Sequence, residues 1–317
     1  MNILHLKSFI FFLVKYRIYK MSVFVRQNAI EMEYTKDVWA ILNPIEQSIK
    51  AKIEKYGTPL KDWDISINYG IKTGCNEAFI ISGEKRKELI AEDPKSDEII
   101  RPILRGRDIK RYGYEFADLW LINIECGYTN KNRGTMPPED FIKSKYPSVY
   151  KHFTEVANAK TKGKGLIHRD DMGDYWWELR SCAYTNDFSK QKIMYSEIVR
   201  TPQFYLDNEG KFYPEATSFI MTGEGLEYLL LALHSKILTY AFKTFYAGGG
   251  LGETGYRYKK AFLEKLPIYK PNNNILHTFE ICSSKKDYGK IDEFLEKSYH
   301  LSQEEMIFIN TNDFLVE

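Results

Sequence analysis

Apolar residues recur at three-and-four spacing early in the chain: Val38, Ile41, Leu42, Ile45, Ile49 and Ile53 mark one face of a helix predicted over residues 34–56. Pro44 invites a break inside it, and Gly57-Thr58-Pro59 closes it. The pattern then shortens to strand-like runs at 64–69, 78–82, 119–124, 192–198, 203–206 and 211–213, with turn residues between them. Within "YLDNEGKFY", residues 208–210 form the tip of a predicted hairpin. The clearest helix spans 225–247, where Leu226, Leu229, Leu230, Leu233, Ile237, Tyr240, Ala241 and Phe245 form an apolar stripe that Gly248 terminates. The segment "DEFLEKSYHLSQEEMIFI" predicts a final helix pair, with Ser302 and Glu305 as a capping box and residues 272–274 as the hinge before it. One stretch departs from this regularity. In "SINYGIKTGCNEAFII", 66–81, a strand-like run is interrupted by Gly70, Lys72, Thr73 and Gly74 before it resumes at Ala78, which predicts a basic, glycine-flanked turn between two core strands.

With 317 residues and 44% hydrophobic content, the chain is long enough to bury a sizeable core. Lys+Arg total 45 against 43 Asp+Glu, a net charge of +2, so any nucleic-acid partner must be met by local clusters rather than by bulk charge. Aromatics reach 15%, which suits strands, cores and stacking surfaces alike. Cys75, Cys126, Cys182 and Cys282 stand singly, without a paired cysteine or a histidine at ligand spacing, and so read as reduced thiols of a cytoplasmic protein. The apolar run 8–14 is too short to span a bilayer, and Lys15, Arg17 and Lys20 follow it where a signal peptide would have small residues. Residues 1–33 therefore read as a leader or linker, either an interaction helix or a translated leader ahead of a start at Met21, with no membrane as a partner.

Catalytic signatures are mostly excluded by their own requirements. "HRDDMGDY" begins like a kinase catalytic loop, but Tyr175 stands where that loop has Asn. "AGGGLGETGYRYKK" lacks the Gly-Lys-Ser/Thr of a phosphate loop and follows a helix instead of preceding one. "DNEGK" only approximates a metal-nuclease motif, and His168, Asp170, Asp171 and Asp174 fit a solvated acidic loop better than a metal site. What remains is basic. "RPILRGRDIKRYGY", 101–114, holds five Lys or Arg and one acid; "AKTKGKGLIHR", 159–169, is flexible and basic; "GYRYKK", 255–260, adds three more cations. Any one of these alone reads as a solvated loop, whereas several in one domain point to a polyanion. Of Trp176 and Trp177, one should be core and the other exposed, with Arg180 free to stack or to form an ion pair.

The blocks "NYGIKTGCNEAFII" (68–81), "IIRPILRGRDIKRY" (99–112), "WWELR" (176–180), "KIMYSEI" (192–198), "TSFIMTGEGLEYLLLALHSKILTYAFKTFY" (217–246), "GYRYKKAFLEKLPI" (255–268) and "IDEFLEKSYHLSQEE" (291–305) follow one another in a familiar order. Together they resemble the TaqI-like C-terminal specificity domain of adenine-specific DNA methyltransferases and fused type II restriction-modification enzymes. The likeness covers roughly residues 39–305, with His234 standing where the family usually has Asn. It implies an α+β target recognition domain of twisted β-sheets packed by helices over 34–271, with a short helical tail over 272–317. It also implies double-stranded DNA as a partner, and a separate methyltransferase catalytic domain or subunit that binds S-adenosylmethionine and flips the target adenine. The glycine-rich cofactor motif and the Asn-Pro-Pro-Tyr motif of that partner are missing here; Asn43-Pro44 continues as Ile45-Glu46. The expectation is a specificity half without catalytic residues or cofactor of its own: a subunit of a split system, a truncated product or the end of a longer protein.

On this reading Arg105, Arg107, Lys110 and Arg111 are the candidate base or phosphate contacts, and Lys72 and Thr73 approach the DNA backbone. Arg257, Lys259 and Lys260 are phosphate clamps, while Lys162, Lys164 and Arg169 order on binding. Two alternatives belong to other classes. One is a self-sufficient adenine methyltransferase or restriction endonuclease with unfamiliar motifs, and the other a structural protein that holds a partner through its aromatic surface and C-terminal helices.

Overall fold

The computed structural model describes residues 42–159, 165–248 and 255–312. The chain divides into two units, 1–49 and 50–317. Of the first, the described part is the start of helix α1 (Pro44–Tyr56). Pro44 opens this helix instead of breaking it, since the first helical position has no use for an N–H. Asn43 caps it: its side chain accepts from the Glu46 amide at 2.9 Å, and the Glu46 carboxylate accepts from the Asn43 amide at 2.8 Å. The expected leader and residues 34–41 of the expected helix lie outside the described residues.

In the second unit the principal elements run β1 (Ile65–Tyr69), α2 (Asn76–Phe79), β2 (Ile80–Ser82), α3 (Gly83–Glu92), β3 (Ile100–Leu104), β4 (Leu119–Ile122), α4 (Pro138–Lys145) and α5 (Pro147–Asn158). They continue with β5 (Lys192–Ser196), β6 (Ile198–Val199), β7 (Phe204–Asp207), β8 (Tyr213–Pro214), β9 (Ser218–Gly223), α6 (Leu226–His234), α7 (Lys236–Ala241) and β10 (Tyr256–Arg257). Helices α8 (Asn273–Ser284), α9 (Lys290–Ser298) and α10 (Gln303–Thr311) close the chain. The fold is α+β. No helix among the described residues is long and apolar enough to cross a membrane.

Two four-stranded sheets organise this unit. The first has the order β7-β5-β9-β1 and is antiparallel throughout; the second has the order β8-β3-β4-β2, with β8 parallel to β3. Strand alternation decides where the first sheet faces. Met194 and Ile220 join Ile103, Leu104, Leu121 and Ile122 of the second sheet in one buried cluster. Their neighbours Tyr195 and Phe219 point the other way, where the Tyr195 ring packs against Phe204, and Phe204 against His234 of α6. Outside the second sheet, α5 closes over α2 with the Phe153 ring 5.0 Å from that of Phe79.

The chain passes between the sheets twice at one place. After β1, Gly70 donates to the Ser218 carbonyl at 2.9 Å and Ile71 to the Pro214 carbonyl at 2.7 Å, and Ile71 bridges Glu215. A Cβ on Gly70 would lie 2.0 Å from the Glu215 carbonyl oxygen, so only glycine fits. The "GIKTG" segment is thus a crossover between sheets and not a turn between paired strands. The resumed run at residue 78 starts as a helical turn, α2, before β2 begins. The expected hairpin at 208–210 also resolves differently. Strand β7 pairs with β5, and β8 leaves for the second sheet, because the Asp207 carboxylate accepts from the Lys211 and Phe212 amides and from Lys192.

The predicted helix over 225–247 breaks at Ser235, whose hydroxyl accepts from the Leu238 amide and so caps α7; after α7 the chain widens into a π-turn, Phe242–Tyr246. Gly248 follows with φ +67, as its stop position requires. The predicted final pair forms as α9 and α10; α8 precedes it, and Asn272 is the cap of α8 and not a hinge. The Ser302/Glu305 capping box forms as expected. Phe279 and Phe294 pack on Tyr228 of α6, and Asp292 accepts from the Lys236 amide at the start of α7, which ties the tail to the module.

His234 ends α6 fully buried. Its Nε2 accepts from the Phe204 amide at 3.3 Å, which places the proton on Nδ1, 3.0 Å from the Leu230 carbonyl. Burial, with Arg111 adding to it, pushes this imidazole well below its ordinary range. The unfolded chain binds a proton below about pH 6.5 and the folded chain resists it, so stability falls with acidification by up to ~1.4 kcal/mol per pH unit from this residue. His234→Asn is expected to flatten that slope between pH 6.5 and 5, measured by urea unfolding across a pH series.

Candidate nucleic-acid interface

Register places four strand ends of the first sheet along one rim. Phe219 stands opposite Tyr69, Ser218 opposite Ser196, and Phe204 opposite Tyr195, so β1 and β5 end where β9 and β7 begin. Three of the basic blocks attach to this rim.

The first is the crossover. Lys72 is exposed, with its Nζ 6.0 Å from the ring centroid of Tyr69, itself half-exposed at the end of β1. Thr73, by contrast, is buried: its hydroxyl donates to Asn76 Oδ1 at 2.6 Å and accepts from the Cys75 amide, so it braces the turn into α2 and does not face solvent.

The second is the turn after β3. Arg105 forks onto Asp108, with Nε at 2.8 Å and Nη2 at 2.7 Å, while the Arg105 amide donates to the same carboxylate. Burial pushes the Asp108 carboxyl up, but the hydrogen bonds from Arg105 prevail and hold it below its usual range. Gly106 docks this turn on the rim, donating to Thr217 Oγ1 at 2.9 Å; a Cβ there would meet the Thr217 carbonyl at 2.4 Å. The result is a rigid loop from which Arg107 projects into solvent. Lys110 turns back onto the Arg107 carbonyl at 3.1 Å and onto Glu115, and Arg111 reaches the His234 carbonyl at the end of α6. The expected group of four therefore splits. Arg107 faces outward, Arg105 shapes the turn, Lys110 braces it, and Arg111 secures a helix end.

The third is the ribbon of β6 and β10, joined to the sheet by the Tyr258 amide on the Glu197 carbonyl at 2.7 Å. Arg257 lies here, half-buried, its Nε without a hydrogen-bond partner among the described residues. Lys243 secures the ribbon by donating to the Arg200 carbonyl at 2.8 Å and lying over the Tyr256 ring. Lys259 sits near the Phe262 ring, whereas Lys260 donates to the Ile67 carbonyl of β1 at 2.8 Å and so acts inside the fold.

The remaining block does not join this rim. Lys162 and Lys164 lie outside the described residues. Arg169 is buried, with its guanidinium on the Leu166, Asp171, Trp176 and Glu178 carbonyls and over the Phe79 ring. Burial pushes it down to about 10. It is a hub for the 166–179 loop, and it does not wait for DNA to become ordered.

Several rim residues lay outside the basic clusters: Tyr69, Ser196, Thr217, the half-exposed Ile198 and the exposed Arg200. Arg200 was a lone cation in the sequence; it directly follows β6, whose Ile198 stands opposite Arg257. Trp177 is core, its Nε1 on Thr129, and Trp176 is half-buried; Arg180 takes the ion-pair option, 2.9 Å from Asp171. All four cysteines are free. Cys126, Asp174 and Glu178 gather their ligand atoms within 4.8 Å of one another. Glu178, however, is already held by the Gly127, Thr129 and Asp174 amides, and burial pushes the Cys126 thiol up, away from the thiolate a metal would take.

An α+β module with two linked sheets and a basic, partly aromatic rim is the shape of a recognition domain. The TaqI-like C-terminal specificity domain matches residues 101–268, and the chain belongs to that family. Among solved structures it is similar to the type IIL restriction-modification enzyme MmeI, solved in complex with DNA (TM-score 0.54, 13% identity, over 81% of this chain and 36% of that one). It is also similar to the type IIG restriction endonuclease BpuSI (TM-score 0.52, 14% identity, over 86% and 32%). The chain thus spans about a third of the length of either enzyme. No curated protein sequence matches it.

The Arg169 assignment has a direct consequence. Arg169→Met leaves four carbonyls without their donor and is expected to cost roughly 3 kcal/mol in urea unfolding, while the salt dependence of any DNA binding stays unchanged.

Proposed function

We propose that this chain is the DNA target recognition module of a restriction-modification system, directing adenine methylation or cleavage by a catalytic part that it does not contain. The observation that carries the reading is the convergence of Lys72, Arg107, Arg200, Arg257 and Lys259 from distant parts of the sequence onto one rim, next to Tyr69 and Ile198. Cations gathered along one edge suit phosphate contacts. A guanidinium held out on a rigid turn, as Arg107 is, suits a guanine edge in the major groove. Membership in a specificity-domain family and a fold shared with MmeI, which was solved with DNA, support the same reading.

We place S-adenosylmethionine and the chemistry with the catalytic part. Such cofactors sit at glycine-rich turns of parallel strand-helix-strand units. The described strands here pair antiparallel, apart from the short parallel match of β8 with β3.

Binding to random-sequence duplex DNA tests the proposal. The expected affinity falls steeply with log salt, and Lys72→Ala and Arg257→Ala each lower the slope by about one. A flat slope, with no effect of these substitutions, would contradict it.

A further inference from the structure

Beside the rim, between the crossover and the loop 179–186, lies a cleft of about 510 Å³. That volume falls within the range of small-ligand sites and is more than a phosphate contact requires. Its wall carries three aromatic residues, Tyr69, Tyr184 and the buried Phe188, and the amides of Asn123 and Asn186. Lys72 and Arg180 supply cations against one carboxylate, Glu125. Arg180 and Glu125 are exposed as well, but Arg180 is paired with Asp171, and Lys72 is the cation where the cleft meets the rim. Flat rings to stack on, amides that both donate and accept, and a cation to one side are together the chemistry of a nucleotide: a planar base with a hydrogen-bonding edge, and a phosphate.

We propose that this cleft receives a single extrahelical nucleotide of the bound DNA, its base among Tyr69, Tyr184 and the two asparagine amides and its phosphate at Lys72. The proposal rests on the DNA-binding reading above and deepens it. A base leaves the stack at a cost of a few kcal/mol, least where it is already unpaired. A pocket that holds it therefore favours DNA in which one base stands free, and the recognition module itself takes part in distorting the duplex.

The test compares full-length chain binding to two random-sequence duplexes, one fully paired and one with a single bulged 2-aminopurine. The bulged duplex is expected to bind about tenfold more tightly, with the 2-aminopurine fluorescence quenched on binding. Ser181 and Ala183 are exposed and line the cleft, so the double variant S181L/A183L fills it without touching the core. It is expected to abolish the preference and the quenching while the fully paired duplex binds as before. Equal binding of the two duplexes, or a preference that survives in the filled variant, would overturn the cleft proposal and leave the recognition reading standing. Failure to bind either duplex would overturn both.

Discussion

The geometry of the strand-end rim depends on one close approach, that of Gly70 to Glu215. Two segments, one leaving β1 and the other arriving at β9, pass between the sheets side by side with backbone against backbone. A Cβ at residue 70 would sit 2.0 Å from a carbonyl oxygen, too close for side-chain adjustment to relieve. The same contact sets the height of Ser218 and Thr217, on which the Gly106 turn rests. Lys72 and Arg107, thirty-five residues apart in sequence, are therefore positioned from one crossing point.

The first sheet is chemically polar along its strands. At the end away from the rim, Lys192 and Asp207 form a buried pair at 2.6 Å; burial lowers the lysine against the attraction of Asp207, and the pair is closed to any partner. At the rim, cations project from rigid turns with few acids beside them. The buried acids here are already engaged, Asp108 by Arg105 and Glu215 by Thr217. A chain with a net charge of only +2 can still gather cations along one edge, while others act inside the fold: Arg169 on a loop, Arg111 on a helix end and Lys260 on a strand carbonyl.

Most strands were legible from short apolar runs, and the Ser302 cap from its spacing, but the inner strands β3 and β9 were not, because they lie within blocks whose basic or helical residues dominate the pattern. Helices α3, α4 and α5 were not, since α3 and α4 are strongly polar and α5 was not distinguished from its loop-like surroundings. The hairpin reading failed because a turn with Asn-Glu-Gly at its tip says that the chain reverses, and nothing about which sheet it then joins. Among the candidate contacts, charge type alone could not separate Arg107 from Arg169. The difference is one of backbone geometry: carbonyls that converge on Arg169 and diverge from Arg107. Tyr69, Ile198 and Arg200 were missed because register, a property of pairings remote in sequence, is what brings them together.

The central claim is that DNA meets the strand-end rim. Photo-crosslinking of a duplex carrying 5-iodouracil to the full chain, followed by peptide mass spectrometry, tests it most directly. The account predicts adducts within residues 69–72, 105–107, 196–201 and 256–259. Adducts concentrated instead on the Lys192–Asp207 end of the sheet or on α4 and α5 would contradict it.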